Sequence, residues 1–235
     1  MIFRLLLAEG MKLKRICLWL PLISAVILNV VTAVEWYLYF RQGPGGVYAG
    51  FSVMFLFLSF ILLLSITLLT SIISSTEHDT GSWKQLCALP ISRMYIYLSK
   101  TILVISLHFL TIVFILLGIV LLWIFYTSKP IPWGFMIKQL IYCYLASLPV
   151  LAIQQWLSTQ FQNQAIPIAF GVMGAMSSLF LARTESNVVH MLPWAYAPLS
   201  TPLLDEHMQW VYMGVISGIA LIIAGALRFA KSEVH

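Results

Sequence analysis

The chain is a succession of apolar runs, each about as long as a membrane is thick, with only short polar breaks between them. Crossing roughly 30 Å of hydrocarbon takes about 20 apolar residues in a helix. Runs of that size cover about 16–38, 51–74, 98–126, 136–160, 165–183 and 209–230. Lipid offers backbone amides no partner, so each run must satisfy them internally, and uniform apolarity without two-residue alternation selects helices over a barrel. The expected fold is all-α, a polytopic membrane protein of six transmembrane helices in one transmembrane domain over 1–235. The third run would extend about 43 Å at 1.5 Å per residue, so it tilts or projects from the bilayer. Only 9% of the 235 residues are charged, which leaves no material for a soluble catalytic domain.

Orientation follows from the basic residues, which are retained in the cytoplasm when they flank spans. With the N-terminus inside, the inner set is Arg4, Lys12, Lys14, Arg15, Lys84, Arg93, Lys100, Arg228 and Lys231, and the outer set is Arg41, Lys129, Lys138 and Arg183. Both termini are therefore predicted to be cytoplasmic, with outer loops near 39–50, 127–135 and 184–208. Trp36, Tyr37, Tyr39, Trp133, Trp194, Tyr196 and Trp210 form an outer aromatic belt, and Trp19 and Trp156 mark the inner one. In this setting the net charge of +5 fixes topology, and nucleic acid is not an expected partner. The opening apolar run lacks a small-residue cleavage site and reads as a retained helix.

Several chemistries find no support. Cys17, Cys87 and Cys143 are isolated, without metal-ligand spacing, and read as apolar fillers. There is no GxxxxGK[ST] loop, HExxH or GxSxG, so neither its own nucleotide hydrolysis nor an intramembrane enzyme is expected. Leu203, Leu204, Asp205 and Glu206 faintly echo a magnesium-binding strand, but Pro202 and the outer position make this coincidence. Glu77, His78 and Asp79 are contiguous and point in different directions on a helix, which argues against a metal site. For packing, Gly214 and Gly218 supply a GxxxG pair, and Gly171, Ala175, Ser178 and Ala182 a stripe of small residues. The last two helices are expected to pack tightly through them.

The most informative stretch is the predicted cytoplasmic loop at 75–93. Trp83, Leu86, Cys87 and Pro90 recur at i, i+3, i+4 and i+7, so a short helix after Gly81 would carry one apolar face ending at the proline. Two readings of this pattern stand: a knob that docks in a partner's cleft, or an amphipathic helix lying on the headgroups.

With Glu77, Gly81, Trp83, Lys84, Leu86, Pro90, Ser92, Arg93 and Lys100, this loop resembles the coupling-helix region of ABC-2 type permeases. Ala8, Glu9, Lys12, Lys14 and Arg15 resemble the amphipathic connecting helix that precedes the first span in that family. The small size, the six spans and the outer segment Leu192-Pro193-Trp194-Ala195-Tyr196-Ala197-Pro198 look most like the lantibiotic-immunity permeases. The resemblance implies a permease in a bacterial cytoplasmic membrane, paired with a second related permease or a second copy of itself and with two cytoplasmic ATPases. ATP and magnesium would be bound by the ATPase chains, with no cofactor on this one. The cargo implied is a cationic, membrane-active peptide, expelled to the medium to give self-immunity or resistance.

Single residues that could line a cargo path also have plainer roles. Glu35, Lys138 and Arg183 sit near outer span ends, where snorkelling to water accounts for them. Glu35 also keeps a role as a carboxylate for cationic cargo. His108, well inside the third span, reads as a neutral hydrogen-bonded histidine before a proton relay. Gln154 and Gln155 in the fourth span and Asn29 in the first read as interhelical hydrogen-bond glue before cargo contacts. Asn163 and Gln164 read as solvated turn chemistry, with a second ATPase contact as the alternative. Two other functions stay open at this stage: a permease for a different amphipathic cargo, and a non-enzymatic membrane immunity protein that holds a ligand without an ATPase.

Overall fold

The structure is a computed structural model and describes residues 2–40, 46–79 and 92–231. Apolar content drives helix formation along almost all of it, and among the described residues there is no strand. A short helix α1 (Ile2–Met11) is followed by α2 (Arg15–Glu35), which runs on into a π-helical turn at Trp36–Phe40. Two 34-residue helices come next, α3 (Gly46–Asp79) and α4 (Arg93–Tyr126). A broken pair, α5 (Trp133–Ala146) and α6 (Leu148–Gln160), is interrupted at Ser147, where Pro149 cannot donate to the helical ladder. The chain ends with α7 (Ala165–Leu181), the short α8 (Asn187–His190) and α9 (Pro193–Leu199), and α10 (His207–Lys231).

Among the described residues, five elements are long and apolar enough to cross a membrane: Arg15–Leu38, Met54–Glu77, Arg93–Tyr126, Trp133–Gln160 and His207–Lys231. The expected span at 165–183 is present as a shorter apolar helix of 17 residues, at the low end of what can cross. The third span begins five residues earlier than its apolar run and, at 34 residues, is about 51 Å long.

α3 forms the axis of the bundle and packs against α2, α4, α6 and α7. Its inward side alternates large apolar residues (Leu58, Leu62, Ile66, Leu69) with hydroxyls at Ser59, Thr67 and Thr70. Those hydroxyls donate to carbonyls one turn back, as Thr67 does to Leu63 (2.9 Å) and Thr70 to Ile66 (2.9 Å), so burial leaves them satisfied. Cys17 and Cys143 are buried in the core as expected of fillers; Cys87 lies outside the described residues.

Close approach through small residues occurs, but not between the last two spans. A Cβ on Gly214 would meet the Ala146 Cα at 2.5 Å, and one on Gly218 the Leu148 Cβ at 2.6 Å. The GxxxG pair thus seats α10 on the α5–α6 break, inside the subunit. Gly171, with buried Ala175 and Ser178, instead faces α3 and α6, where the Gln154 amide and Thr67 fill the space a side chain would need. Where a helix breaks or carries a polar bridge, its backbone can be approached only by a residue without bulk, and that requirement selected these partners.

The 184–208 segment, predicted as an outer loop, is folded. Ala195, Tyr196, Ala197 and Leu199 of α9 are buried against α5, α7 and α10. The Tyr196 hydroxyl donates to the Met191 carbonyl (2.9 Å), Thr201 Oγ1 donates to Gln139 Oε1 (2.7 Å), and the Trp194 indole occupies the space above Gly174. This element caps one end of the bundle. The other end carries Lys12, Lys14, Arg15, Arg93, Lys100, Arg228 and Lys231 and is called the basic end below.

Candidate functional site

Three elements converge at the basic end: α1, the last turns of α3 and the first turns of α4. α1 packs along α4. Glu9 turns inward from it and is 5% exposed. The α3 helix carries on past its apolar run to Asp79, so Glu77 stands on a helix and is 2% exposed, where the sequence reading had placed it in a solvated loop. Lys100, two turns into α4, is 1% exposed. Its Nζ donates to Glu9 Oε2 at 2.8 Å and to Glu77 Oε1 at 2.5 Å. The Lys12 ammonium lies 3.5 Å from Glu9 Oε1 and 3.9 Å from Glu77 Oε1, with its own side chain 44% exposed.

The physical reason Glu77 can enter the helix is the lysine opposite. An uncompensated carboxylate at this depth would cost several kcal/mol, whereas two carboxylates shared between two ammonium groups balance in charge and in hydrogen bonds. A small cavity of about 10 Å³ adjoins the cluster, lined by Glu9, Lys12, Lys14, Cys17, Thr76 and Glu77. Glu77 Oε2 has no protein partner. The cluster ties a segment before the first span to both helices that flank residues 80–91, so displacing any one of the three elements must break or drag an ion pair in the others.

The remaining expected site residues fall in different places. Gly81, Trp83, Lys84, Leu86 and Pro90 lie outside the described residues. Arg93 opens α4 and is half-buried. The connecting helix ends at Met11, so of its expected residues Glu9 is helical, whereas Lys12 and Lys14 sit in the turn that leads into α2. That turn lets Lys12 fold back over Glu9.

Gln154 bridges three helices: its Nε2 donates to Thr67 Oγ1 on α3 (3.0 Å) and to the Pro167 carbonyl on α7 (3.2 Å). His108 is fully buried, with Nε2 3.1 Å from Ser147 Oγ at the α5–α6 break and the ring stacked on Tyr144 at 5.2 Å. Glu35 is half-buried at the end of α2, at the end opposite the charge cluster. Glu35, His108 and Gln154 do not converge on one chamber; two of them hold helix junctions. Among the described residues no group of three histidine, cysteine or acidic side chains is placed to hold a metal ion.

Lys100 is the residue whose role sequence reasoning missed. It was counted only as a topology marker and as part of the loop resemblance. The available signal was a carboxylate at the end of one apolar run and a lysine just inside the next, at comparable depth on antiparallel neighbours.

Comparison with known proteins agrees with this architecture. The family model described as "ABC-2 family transporter protein" matches residues 5–178, about three quarters of the chain, including most of α1 and the whole charge cluster. No curated protein and no solved structure matches the chain. A multi-pass helical bundle whose buried ion cluster and helices α2 to α6 fall inside that match is a membrane permease component of an ABC transporter, and the chain belongs to the ABC-2 transporter family.

Proposed function

We propose that the chain is the permease of an ATP-driven exporter that expels a cationic antimicrobial peptide of the lantibiotic type from the membrane and so confers immunity or resistance. In this reading six helices span a bacterial cytoplasmic membrane, both termini and the basic end face the cytoplasm, and the α8–α9 cap faces the medium. Two copies of a separate ATPase, carrying ATP and magnesium, act on residues 75–93, and a second related permease or a second copy of this chain completes the membrane part.

The observation that carries the reading is the buried Glu9–Lys100–Glu77 cluster, which joins α1 to the two helices that flank residues 80–91 in the sequence. A force applied to Trp83, Lys84 and Leu86 enters α3 through Glu77 and α4 through Arg93 and Lys100. From Lys100 it reaches α1 through Glu9. A neutral hydrogen-bonded cluster of this kind resists shear between helices because each ion would be stranded in low dielectric if it lost its partner. For the cargo, support comes from the nine-to-four inner excess of basic residues, which leaves the outer end free of strong positive charge, and from the carboxylate of Glu35 at that end.

The test is purification of the tagged chain from native membranes in mild detergent, wild type beside Leu86→Asp, with partners identified by mass spectrometry. A stoichiometric ATPase that is lost in the variant supports the coupling site. A chain recovered alone, from a preparation in which other membrane complexes survive, sinks the proposal. Growth protection against a cationic lantibiotic, but not against a neutral amphiphile of similar size, tests the cargo; equal protection against both refutes it.

A further inference from the structure

A second feature of the basic end lies apart from the ion cluster. Between α6 and α10 runs a groove of about 210 Å³, walled by Ala152 and Trp156 on one side and by Leu221, Ala224, Gly225 and Arg228 on the other. The four α10 residues recur at i, i+3, i+4 and i+7, so one stripe of that helix forms a continuous wall. Its upper walls are apolar. Its end near the helix terminus is not: the Arg228 guanidinium sits 5.1 Å over the Trp156 ring. Lys231 follows within the same last turn.

The two polar side chains of the lining, Arg228 and Trp156, are donors only. Trp156 Nε1 is shielded from water and has no acceptor in the protein. The Tyr97 hydroxyl, on α4 and outside the lining, lies against Gly225, where a Cβ would sit 2.5 Å from it. No carboxylate lines the groove among the described residues. A buried donor without an acceptor costs about 1–3 kcal/mol. An unpaired indole N–H beside a guanidinium therefore favours a ligand with anionic oxygens. The apolar walls favour one whose other end is hydrocarbon.

We propose that this groove is a binding site for one anionic phospholipid, its phosphate held by Arg228 with the Trp156 indole N–H, and one acyl chain lying along Ala152, Leu221 and Ala224. The position suits that ligand, because basic residues at the end of a spanning helix stand at headgroup depth, and a guanidinium matches phosphate oxygens in a fork. Gly225 lets α10 close on Tyr97 and so keeps the groove floor shallow.

The experiment is native mass spectrometry of the full chain, purified with whatever subunits remain bound, after delipidation and re-addition of dioleoylphosphatidylglycerol or dioleoylphosphatidylcholine. The wild type is expected to retain phosphatidylglycerol roughly five- to tenfold better than phosphatidylcholine. Arg228→Gln should remove that preference and Arg228→Lys should restore most of it. Ala224→Trp, at an exposed point on the wall, should displace phosphatidylglycerol by filling the groove, and it carries the test if Arg228→Gln does not accumulate. Equal retention of the two lipids by the wild type overturns the proposal. So does a preference that survives both Arg228→Gln and Ala224→Trp.

Discussion

Replacing Lys100 by Met isolates what the buried cluster contributes. The substitution keeps the length and apolar stem of the side chain and deletes one ammonium that is 1% exposed and donates to two carboxylates at 2.8 and 2.5 Å. Glu9 and Glu77 are then left 5% and 2% exposed beside Lys12, which lies at 3.5 and 3.9 Å and is itself 44% exposed. Removing one partner of a buried ion pair costs about 3–5 kcal/mol. Partial compensation by Lys12 places the expected loss near about 3 kcal/mol, which is roughly a hundredfold in the folding equilibrium. Removing all three charges, as Lys100→Met with Glu9→Gln and Glu77→Gln, also removes the desolvation penalty and should return stability to within about 1 kcal/mol of wild type. Reversible unfolding in mixed micelles of increasing denaturing-detergent fraction reads both values, and the strong non-additivity is the signature of a coupled cluster. If the single variant lost less than about 1 kcal/mol, or the triple variant were as unstable as the single one, the electrostatic account would be wrong.

Gly218→Ile pushes a branched side chain into Leu148 and the Pro149 backbone at the α5–α6 break, and should cost about 1–3 kcal/mol in the same unfolding titration. Gln154→Leu removes two donated hydrogen bonds that join α6 to α3 and α7, with an expected loss of about 0.6–1.7 kcal/mol and no loss of ATPase association on co-purification. Trp194→Ala empties the space over Gly174 and loosens the α9 cap; a loss of about 3 kcal/mol, the low end for a half-buried ring, is expected, together with faster proteolysis at 184–206 from the capped side of sealed vesicles.

The α8–α9 cap shows where local reading stops. Pro193 and Pro198 punctuate the segment, and an aromatic belt accounts for Trp194 and Tyr196, so nothing local distinguishes a loop from a folded plug. Burial of Ala195, Ala197 and Leu199 depends on α5, α7 and α10 standing close enough to receive them. Similarly, Gly214, Gly218 and Gly171 were recognisable as packing residues from spacing, but their partners were not. Gly218 needs the break that Pro149 makes in a helix some seventy positions away, and Gly171 needs the amide of Gln154. Of the site, Glu9 and Glu77 entered through the family resemblance, and Lys100 through that resemblance and as an ordinary basic flank.

The amino-acid sequence by itself determined the solvent and the class of fold. Hydropathy is a property of each short stretch, and twenty apolar residues in lipid have no option but a helix. It also determined the segregation of basic residues to alternate breaks, since that too is counted locally. What the tertiary structure decided is which charges meet. Lys100 and Glu9 are separated by 91 positions, and Lys100 and Glu77 by 23. They face one another because α4 continues past the apolar core, α1 folds back along it, and α3 retains its helix through Glu77. Each of those choices is stable only once the other two are made: a buried ion is tolerated when its partners arrive with it, and that condition is cooperative.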